Sequence, residues 1–202
     1  MRPGLIVLHY TGMATCAEAR ARLCDPATEV SAHWLISEAG SPEALVAEDH
    51  RAWHAGAGSW RGRDDVNSQS IGIELANPGD RPFPESQMAA LERLLGQIMA
   101  RWDIPAQGVI AHSDMAPTRK GDPGRRFDWR RLALQGLAVW PQASAADVAG
   151  FWRDLATFGY PAAPDADLLA AFRLRFRPWS QGPLDATDAG LAADLARRYA
   201  AV

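Results

Sequence analysis

The chain has 202 residues, of which 48% are hydrophobic and 22% are charged, and its formal net charge is -3. This length allows one well-buried domain and a small second one, and the composition is typical of a globular protein. The slightly acidic charge argues against a nucleic-acid partner, and no run approaches the ~20 apolar residues that a membrane-spanning helix needs. We therefore expect a monomer with no transmembrane segment and no nucleic-acid partner.

Four short apolar runs have the length and composition of buried β-strands. They lie at residues 5–8, 30–37, 70–75 and 109–111. The first and the last of these runs are each followed directly by a histidine, His9 and His112. In the third run, apolar side chains alternate with Gly72 and Glu74, which indicates a strand with two different faces.

Helical patterns separate these strands. Thr15 and Glu18 form the capping-box pattern that opens a helix, an amphipathic helix follows Pro84, and another helix begins near Asp128. The two cysteines of the chain lie on the first helix, roughly 12 Å apart at about 1.5 Å of rise per residue. Because a disulfide needs its Cα atoms within roughly 7 Å, we expect two free thiols.

The chain divides into two predicted domains, residues 1–141 and residues 144–202. The first mixes strands and helices, whereas the second shows helical periodicity alone, with a helix start at Ser144. Three short helices can bury one small core, so we expect a separate C-terminal three-helix domain that closes its own core. The alternative is that these helices pack on the first domain and bury aromatic side chains in a shared interface, those of Phe151, Trp152 or Trp179.

His9, His112 and Asp122 form a candidate metal site. Each histidine ends a short apolar strand, where side chains from distant segments converge, and Asp122 lies in a tight loop of sequence KGDPG. Two histidines and one carboxylate are a standard catalytic zinc set that leaves a fourth position for water. On spacing alone, two hydrogen-bonded core histidines and a turn aspartate are the alternative.

Glu74 and Lys120 are candidate catalytic residues. Glu74 lies in an otherwise apolar strand, where an unpaired carboxylate is costly, so it needs a partner such as a lysine or a metal-bound water. Lys120 precedes Asp122 closely and could stabilise negative charge on a reacting carbonyl. The alternatives are the exposed face of an edge strand for Glu74 and a solvated loop position for Lys120.

In order along the chain, six segments resemble the zinc-dependent N-acetylmuramoyl-L-alanine amidases of the amidase-2 type. They are LIVLHYTG, VSAHWLIS, RAWHAGAGSWRGRDDVNSQSIGIELANPG, FPESQMAAL, AHSDMAPTRKGDPG and FDWRRL. The resemblance implies an α/β fold with a central mixed β-sheet flanked by helices. It also implies hydrolysis of the amide between the lactyl group of N-acetylmuramic acid and L-alanine, in peptidoglycan or muropeptides.

The resemblance further implies roles for single residues. The zinc ligands of the family fall on His9, His112 and Asp122. Its catalytic carboxylate falls on Glu74 and its catalytic lysine on Lys120. Tyr10, beside His9, could line a groove, and Trp53, beside a glycine-rich loop, could stack on a sugar. We therefore treat Tyr10 and Trp53 as candidate substrate contacts.

Other positions qualify this picture. His33 and His54 lie in matching blocks without being ligands, so we expect groove or structural residues there. Relatives of the recognition-protein and phage type carry a tyrosine where this chain has Ala32, so the site is expected to rely on Glu74. The C-terminal region resembles, more weakly, the three-helix peptidoglycan-binding module often fused to such enzymes.

The sequence leaves two other functions to consider on this fold, and it gives an expectation for the cellular location. A non-catalytic peptidoglycan-binding protein on the same fold typically lacks a metal ligand and ranks lower, whereas a zinc enzyme acting on another amide stays open, because the groove selects the substrate. The start of the chain has no recognisable signal peptide. As written, the chain is expected in the cytoplasm, and a missing leader would place it in the periplasm or cell envelope.

Overall fold

The computed structural model describes residues 1–142 and 145–200. Within these ranges the chain forms five β-strands and seven α-helices, joined by loops and short 3₁₀ turns. The strands are β1 (Leu5–Tyr10), β2 (Trp34–Ile36), β3 (Pro42–Ala44), β4 (Ser70–Leu75) and β5 (Val109–Ala111). The helices are α1 (Cys16–Cys24), α2 (Glu85–Trp102), α3 (His112–Met115), α4 (Trp129–Leu134), α5 (Phe151–Phe158), α6 (Asp165–Phe176) and α7 (Ala186–Tyr199).

The strands form a single sheet in the order β3-β2-β4-β1-β5. The strands β1, β2, β4 and β5 are parallel, and β3 pairs antiparallel with β2 at one edge. Parallel strands covered on both faces are apolar on both sides, and β1 and β4 are almost fully buried. The expected mixed sheet flanked by helices is confirmed.

Two strands begin or end at different residues from those predicted. The first run continues to the end of β1, so His9 lies within the strand and pairs with Glu74 of β4. The second run shrinks to β2, because the Ser31 amide donates to the Trp53 carbonyl at 3.1 Å and the chain leaves the sheet there. These two changes bring His9 beside Glu74 and hold Trp53 near the same end of the sheet.

The predicted helix starts are confirmed at Thr15 and Asp128. The Thr15 hydroxyl accepts from the Glu18 amide in a reciprocal capping box, and the Asp128 carboxylate caps α4. Cys16 and Cys24 are free thiols, as expected. Among the helices of the described ranges, none is both long and apolar enough to cross a membrane.

The two faces of the sheet carry different helices. Alternate residues of the strands, such as Ile6 and Leu8 of β1 and Ile71 and Ile73 of β4, pack with α2 and α4. The opposite face of β1 and β5 packs against the C-terminal helices. The sheet is thus the middle layer of the fold, and both layers around it are helical.

The C-terminal helices α5, α6 and α7 share this second core with the sheet. Phe151, Phe172 and Leu195 lie in one fully buried cluster with Val7 of β1 and Ile110 of β5. The expectation that these helices close their own core is wrong, because strand residues complete their apolar surface. Whether residues 1–141 and 144–202 are separate domains stays a prediction.

The three aromatic residues named for a shared interface with the first domain differ in how far they are buried. Phe151 is buried in the shared cluster and Trp152 packs against it, whereas Trp179 is 64% exposed. The predicted helix start at Ser144 lies outside the described residues. The first α-helix described beyond it is α5, which is followed by Gly159 as its C-cap, in a positive-φ conformation that favours glycine.

A buried ion pair ties α6 to the start of α3. The side chains of Arg175 and Asp114 are fully buried and paired, and the Tyr160 hydroxyl donates to the same carboxylate. Arg175 also donates to the Val109 carbonyl at 3.0 Å, and its guanidinium lies 4.3 Å from the centre of the Trp129 ring. Because α3 follows β5 directly, this pair links the C-terminal helices to the segment that carries the predicted site.

Replacing Arg175 by methionine should lower the free energy of unfolding by about 3–5 kcal/mol, since Asp114 would keep a buried charge without its partner. Arg153→Met is the matched control, because the Arg153 side chain is 77% exposed beside Asp154 and exposed ion pairs contribute little. Urea unfolding of both variants measures the difference. Equal losses in the two variants would show that the Arg175 pair does not support the fold.

Candidate active site

The predicted site residues meet at the carboxyl ends of the parallel strands, the edge at which open α/β sheets bind ligands. His9 and Glu74 are register partners on β1 and β4, and His112 is the first residue of α3, directly after β5. Lys120 and Asp122 come from the loop after α3. All five residues line one groove of about 390 Å³.

His9, His112 and Asp122 form a compact, buried group. Nδ1 of His9 lies 2.9 Å from Nδ1 of His112, and Oδ2 of Asp122 lies 2.9 Å and 3.0 Å from these two nitrogens. The Ser113 amide donates to the Asp122 carbonyl at 3.1 Å, which ties the loop to the start of α3. The three side chains together could hold a metal ion.

The hydrogen bonds of His112 show that this group suits a cation. Its Nε2 lies 2.8 Å from the Ala55 carbonyl oxygen. Because a carbonyl only accepts, Nε2 carries the proton and Nδ1 presents a lone pair to the carboxylate of Asp122, which is also an acceptor. Two imidazole lone pairs and a carboxylate oxygen in contact are the donor set that zinc takes in catalytic sites.

Charges in this group favour the same conclusion. Burial, and then the charge of His112, lower the pKa of His9 to about 4, so His9 is neutral near pH 7. Burial alone would raise the pKa of Asp122, but its close contacts with His112 and His9 hold this pKa below its ordinary value. A neutral imidazole and an ionised carboxylate are the protonation states of metal ligands.

Glu74 faces the groove from β4, beside this group. Its Oε2 is buried and has no hydrogen-bond partner among the described residues. Burial, and then the negative charge of Asp122, raise the pKa of Glu74 to about 8, against an opposing effect of Lys120. The exposed edge-strand alternative is wrong, because β4 lies in the middle of the sheet. Glu74 can therefore exchange a proton near neutral pH.

Lys120 is exposed at the rim of the groove, and it is the only lysine in the chain. Its backbone amide donates to the Ala116 carbonyl at 3.0 Å. Its ammonium forms no ion pair or hydrogen bond with the part of the chain that the structure describes. The positive charge of Lys120 lowers the pKa of Glu74, against the larger effect of burial, and also lowers the pKa of His9.

Tyr10 and Trp53, the predicted substrate contacts, both line the groove. The Tyr10 ring lies against Gly79, where an added Cβ would come within 2.8 Å of the ring, so only glycine leaves room for it. Trp53 is 51% exposed and its indole is open to a ligand. The structure brings both side chains to the groove, and their contact with substrate stays a prediction.

Three further residues contribute to the site. His54, expected as a groove or structural residue, has its Nδ1 3.0 Å from Nε2 of His9, and Ser70 Oγ lies 3.2 Å from Nε2 of His54. Arg119 donates to the carbonyls of Ala55 and Ala57. Ser70 carries a weak sequence signal, because it shares a strand face with Glu74. Arg119 carries none, since its contacts depend on how two loops meet.

A mixed α/β sheet with two imidazoles, a carboxylate and a proton-exchanging glutamate at its strand ends is the arrangement of a hydrolase. Residues 1–125 match the amidase-2 family, described as N-acetylmuramoyl-L-alanine amidase. The chain belongs to this family of hydrolases.

Two relatives are similar over nearly the whole chain. N-acetylmuramoyl-L-alanine amidase AmiD of Escherichia coli K12 is 36% identical, and the alignment covers 96% of this chain and 83% of AmiD. The structure of E. coli AmiD with the substrate anhydro-N-acetylmuramic acid-L-Ala-D-γ-Glu-L-Lys matches with a TM-score of 0.92 and 34% identity, covering 100% of this chain and 91% of that one. AMPDH3 of Pseudomonas aeruginosa, in complex with anhydromuramic pentapeptide, matches with a TM-score of 0.90 and 32% identity, covering 99% and 93%.

Glu74→Gln should stabilise the metal-free protein increasingly as pH rises. In the folded chain the pKa of Glu74 is raised from 4.5 to about 8, so the folded state holds this proton more tightly than the unfolded state. The resulting stabilisation is complete below about pH 4.5 and is lost as pH rises through about 8, whereas glutamine does not titrate.

Melting temperatures in EDTA at about pH 5, 7 and 9 measure this effect. The difference between Glu74→Gln and wild type should shift in favour of the variant with each step. Taking the difference removes the titration of groups that both proteins share. A difference that does not change with pH would show that the fold does not disfavour the Glu74 charge.

Proposed function

We propose that this chain is a zinc-dependent N-acetylmuramoyl-L-alanine amidase that hydrolyses the amide between the lactyl group of N-acetylmuramic acid and L-alanine. The observation that carries the proposal is the buried convergence of His9, His112 and Asp122 in a groove that also holds the unpartnered Glu74 oxygen. Zinc held by the three residues would supply Lewis acidity, which lowers the pKa of water and polarises a carbonyl.

Glu74 would move the protons of the reaction. Its carboxylate accepts a proton from the attacking water, whose oxygen bonds to the amide carbon. It then gives that proton to the leaving nitrogen as the carbon–nitrogen bond breaks. The products are the lactyl carboxylic acid and the free amine of L-alanine, and the acid then passes its remaining proton to the amine or to the solvent. In the metal-free chain the pKa of Glu74 is raised to about 8, and the positive charge of a bound metal ion would lower it toward the working pH, which suits both transfers.

Lys120 would stabilise the negative charge that develops on the carbonyl oxygen during attack. Its ammonium lies at the groove and is not neutralised by an acidic partner within residues 1–142 and 145–200. Fixed positive charge aimed at a developing oxyanion is usually a large part of catalysis. Lys120 would thus act on the substrate and not on the metal.

The proposed substrate is a muropeptide of the class found in the two related complexes. AmiD was captured with an anhydro-N-acetylmuramic acid peptide and AMPDH3 with an anhydromuramic pentapeptide. In this chain, Tyr10 and Trp53 would provide aromatic walls for such a ligand. A non-catalytic peptidoglycan-binding protein on the same fold is disfavoured, because the three metal-site residues, Glu74 and Lys120 are all present.

Two expectations stay predictions. One is that residues 144–202 bind peptidoglycan. Since α5, α6 and α7 cover one face of the sheet, cutting the chain after residue 141 would test folding and not wall binding, so the full chain is needed for a sedimentation test with sacculi. The other is the compartment, cytoplasm or cell envelope, which fractionation of native cells would decide.

Protein purified without added metal should contain about one zinc ion per chain, and His112→Ala should lose it because three protein ligands become two. His50→Ala is the matched control, since the His50 ring lies on the surface beside Asp49 with its side chain 73% exposed. Elemental analysis of the three proteins measures zinc content. Full zinc content in His112→Ala would contradict the assignment of the ligands.

Glu74→Gln should keep its zinc but lose at least about 100-fold in the rate of muropeptide cleavage, the usual contribution of a general base. Lys120→Met should lose a similar factor through weaker oxyanion stabilisation. Glu92→Gln is the control, because Glu92 pairs with Arg131 and does not line the groove. A near wild-type rate for Glu74→Gln would make Glu74 a structural residue only.

A further inference from the structure

His54 lies between the candidate metal site and the start of β4. Its ring is buried, with Nδ1 3.0 Å from Nε2 of His9 and Nε2 3.2 Å from Oγ of Ser70. An added Cβ at Gly72 would lie 2.3 Å from the ring, so this glycine lets the imidazole pack directly on the strand. Ser70, Gly72 and Glu74 share one face of β4, and His54 is therefore seated on the face that leads to the site.

The position of each proton along the contacts from Ser70 through His54 to His9 follows from the hydrogen bond that Ser70 makes. The Ser70 hydroxyl lies 2.6 Å from the Val66 carbonyl, and because a carbonyl only accepts, the single hydroxyl proton goes there. Ser70 Oγ must then accept from Nε2 of His54. A neutral His54 that donates from Nε2 has its lone pair on Nδ1, so Nε2 of His9 must donate to it.

The consequence for His9 is a defined tautomer. With its proton on Nε2, His9 presents the lone pair of Nδ1 to Nδ1 of His112 and Oδ2 of Asp122, both 2.9 Å away. The opposite order of protons would need Ser70 to donate to His54 at 3.2 Å in place of the Val66 carbonyl at 2.6 Å. The shorter contact to a group that can only accept favours the first order.

We propose that Ser70 and His54 are positioning residues that hold His9 in its Nε2-protonated tautomer and so aim Nδ1 at the metal. This inference rests on the proposed zinc site, and it assigns to His9 an outer partner like the Ala55 carbonyl of His112. Outer partners of this kind orient a ligand and raise its affinity for metal, and their loss typically costs about 10–100-fold.

His33 is the natural control for this chain of contacts. His33 is fully buried and its ring packs edge-on against that of His54, with 5.6 Å between the ring centres. Its Nδ1 accepts from the Gly72 amide and its Nε2 donates to the His50 carbonyl. It makes no hydrogen bond with His9 in the described structure. Replacing His33 or His54 by leucine removes the same ring from the same region, and only the second change breaks the contact with His9.

The first measurement uses the full chain without metal. Long-range proton–nitrogen NMR spectra of histidine-labelled protein should show His9, assigned by comparison with His9→Asn, protonated on Nε2 in wild type and in His33→Leu. In His54→Leu and Ser70→Ala the spectra should show a mixture of tautomers. Val66 keeps a hydrogen bond from the Gln69 amide, so Ser70→Ala leaves no carbonyl unpaired.

The second measurement is the Kd for Zn²⁺, obtained by competition with a chromophoric chelator. His54→Leu should bind about 10–100-fold more weakly than wild type, Ser70→Ala should be weakened less, and His33→Leu should match wild type. His54→Asn should recover most of the affinity, because its Oδ1 replaces the acceptor at Nδ1. Rescue by an acceptor alone would not be expected if His54 only filled space.

Two results would overturn the proposal. One is a His9 protonated on Nδ1 in the metal-free wild type. The other is a folded His54→Leu with the wild-type Kd for Zn²⁺. If wild type itself bound no zinc, the proposed function would be wrong, whereas the tautomer of His9 in the metal-free protein would still decide the role of Ser70 and His54.

Discussion

Two imidazole nitrogens and a carboxylate oxygen meet within about 3 Å at the carboxyl ends of β1 and β5. Groups of this kind repel one another or share protons unless a cation lies among them. Much of the surrounding structure keeps them together. His9 is positioned by the sheet, and His112 by the junction of β5 and α3. A hydrogen bond from the Ser113 amide to the Asp122 carbonyl holds the following loop so that Asp122 lies beside the two histidines.

Besides the shared apolar core, a buried charged pair joins the C-terminal helices to this arrangement. Asp114 lies two residues after His112, and its carboxylate accepts from the Ala111 amide at 2.9 Å as well as from Arg175 and Tyr160. The turn that directs His112 into the groove is therefore held from the C-terminal side of the molecule.

The strands of the sheet could be predicted from the sequence, because short apolar runs are strong local signals. The roles of His9, His112 and Asp122 were predicted from the resemblance to the amidase-2 family, since spacing alone left buried core histidines as an alternative. Glu74 was also recognisable, since a carboxylate is out of place in a buried strand. The shared core was not, because the periodicity of α6 shows an apolar face but not that Arg173 and Arg175 are buried too. Which acidic residue each arginine pairs with, Asp188 or Asp114, depends on how distant segments pack together, which local periodicity does not show. The contact of His54 with His9 likewise depends on how the His54 ring packs over Gly72.

The composition of the basic residues has a practical consequence. Every basic side chain except Lys120 is arginine or histidine, and Lys120 is exposed at the mouth of the groove. An amine-directed reagent therefore has two targets, the amino terminus and this one side chain. Acylation would neutralise its charge, and reductive methylation would keep it. A fluorophore attached there would sit at the entrance and report when a ligand enters, without any engineered cysteine.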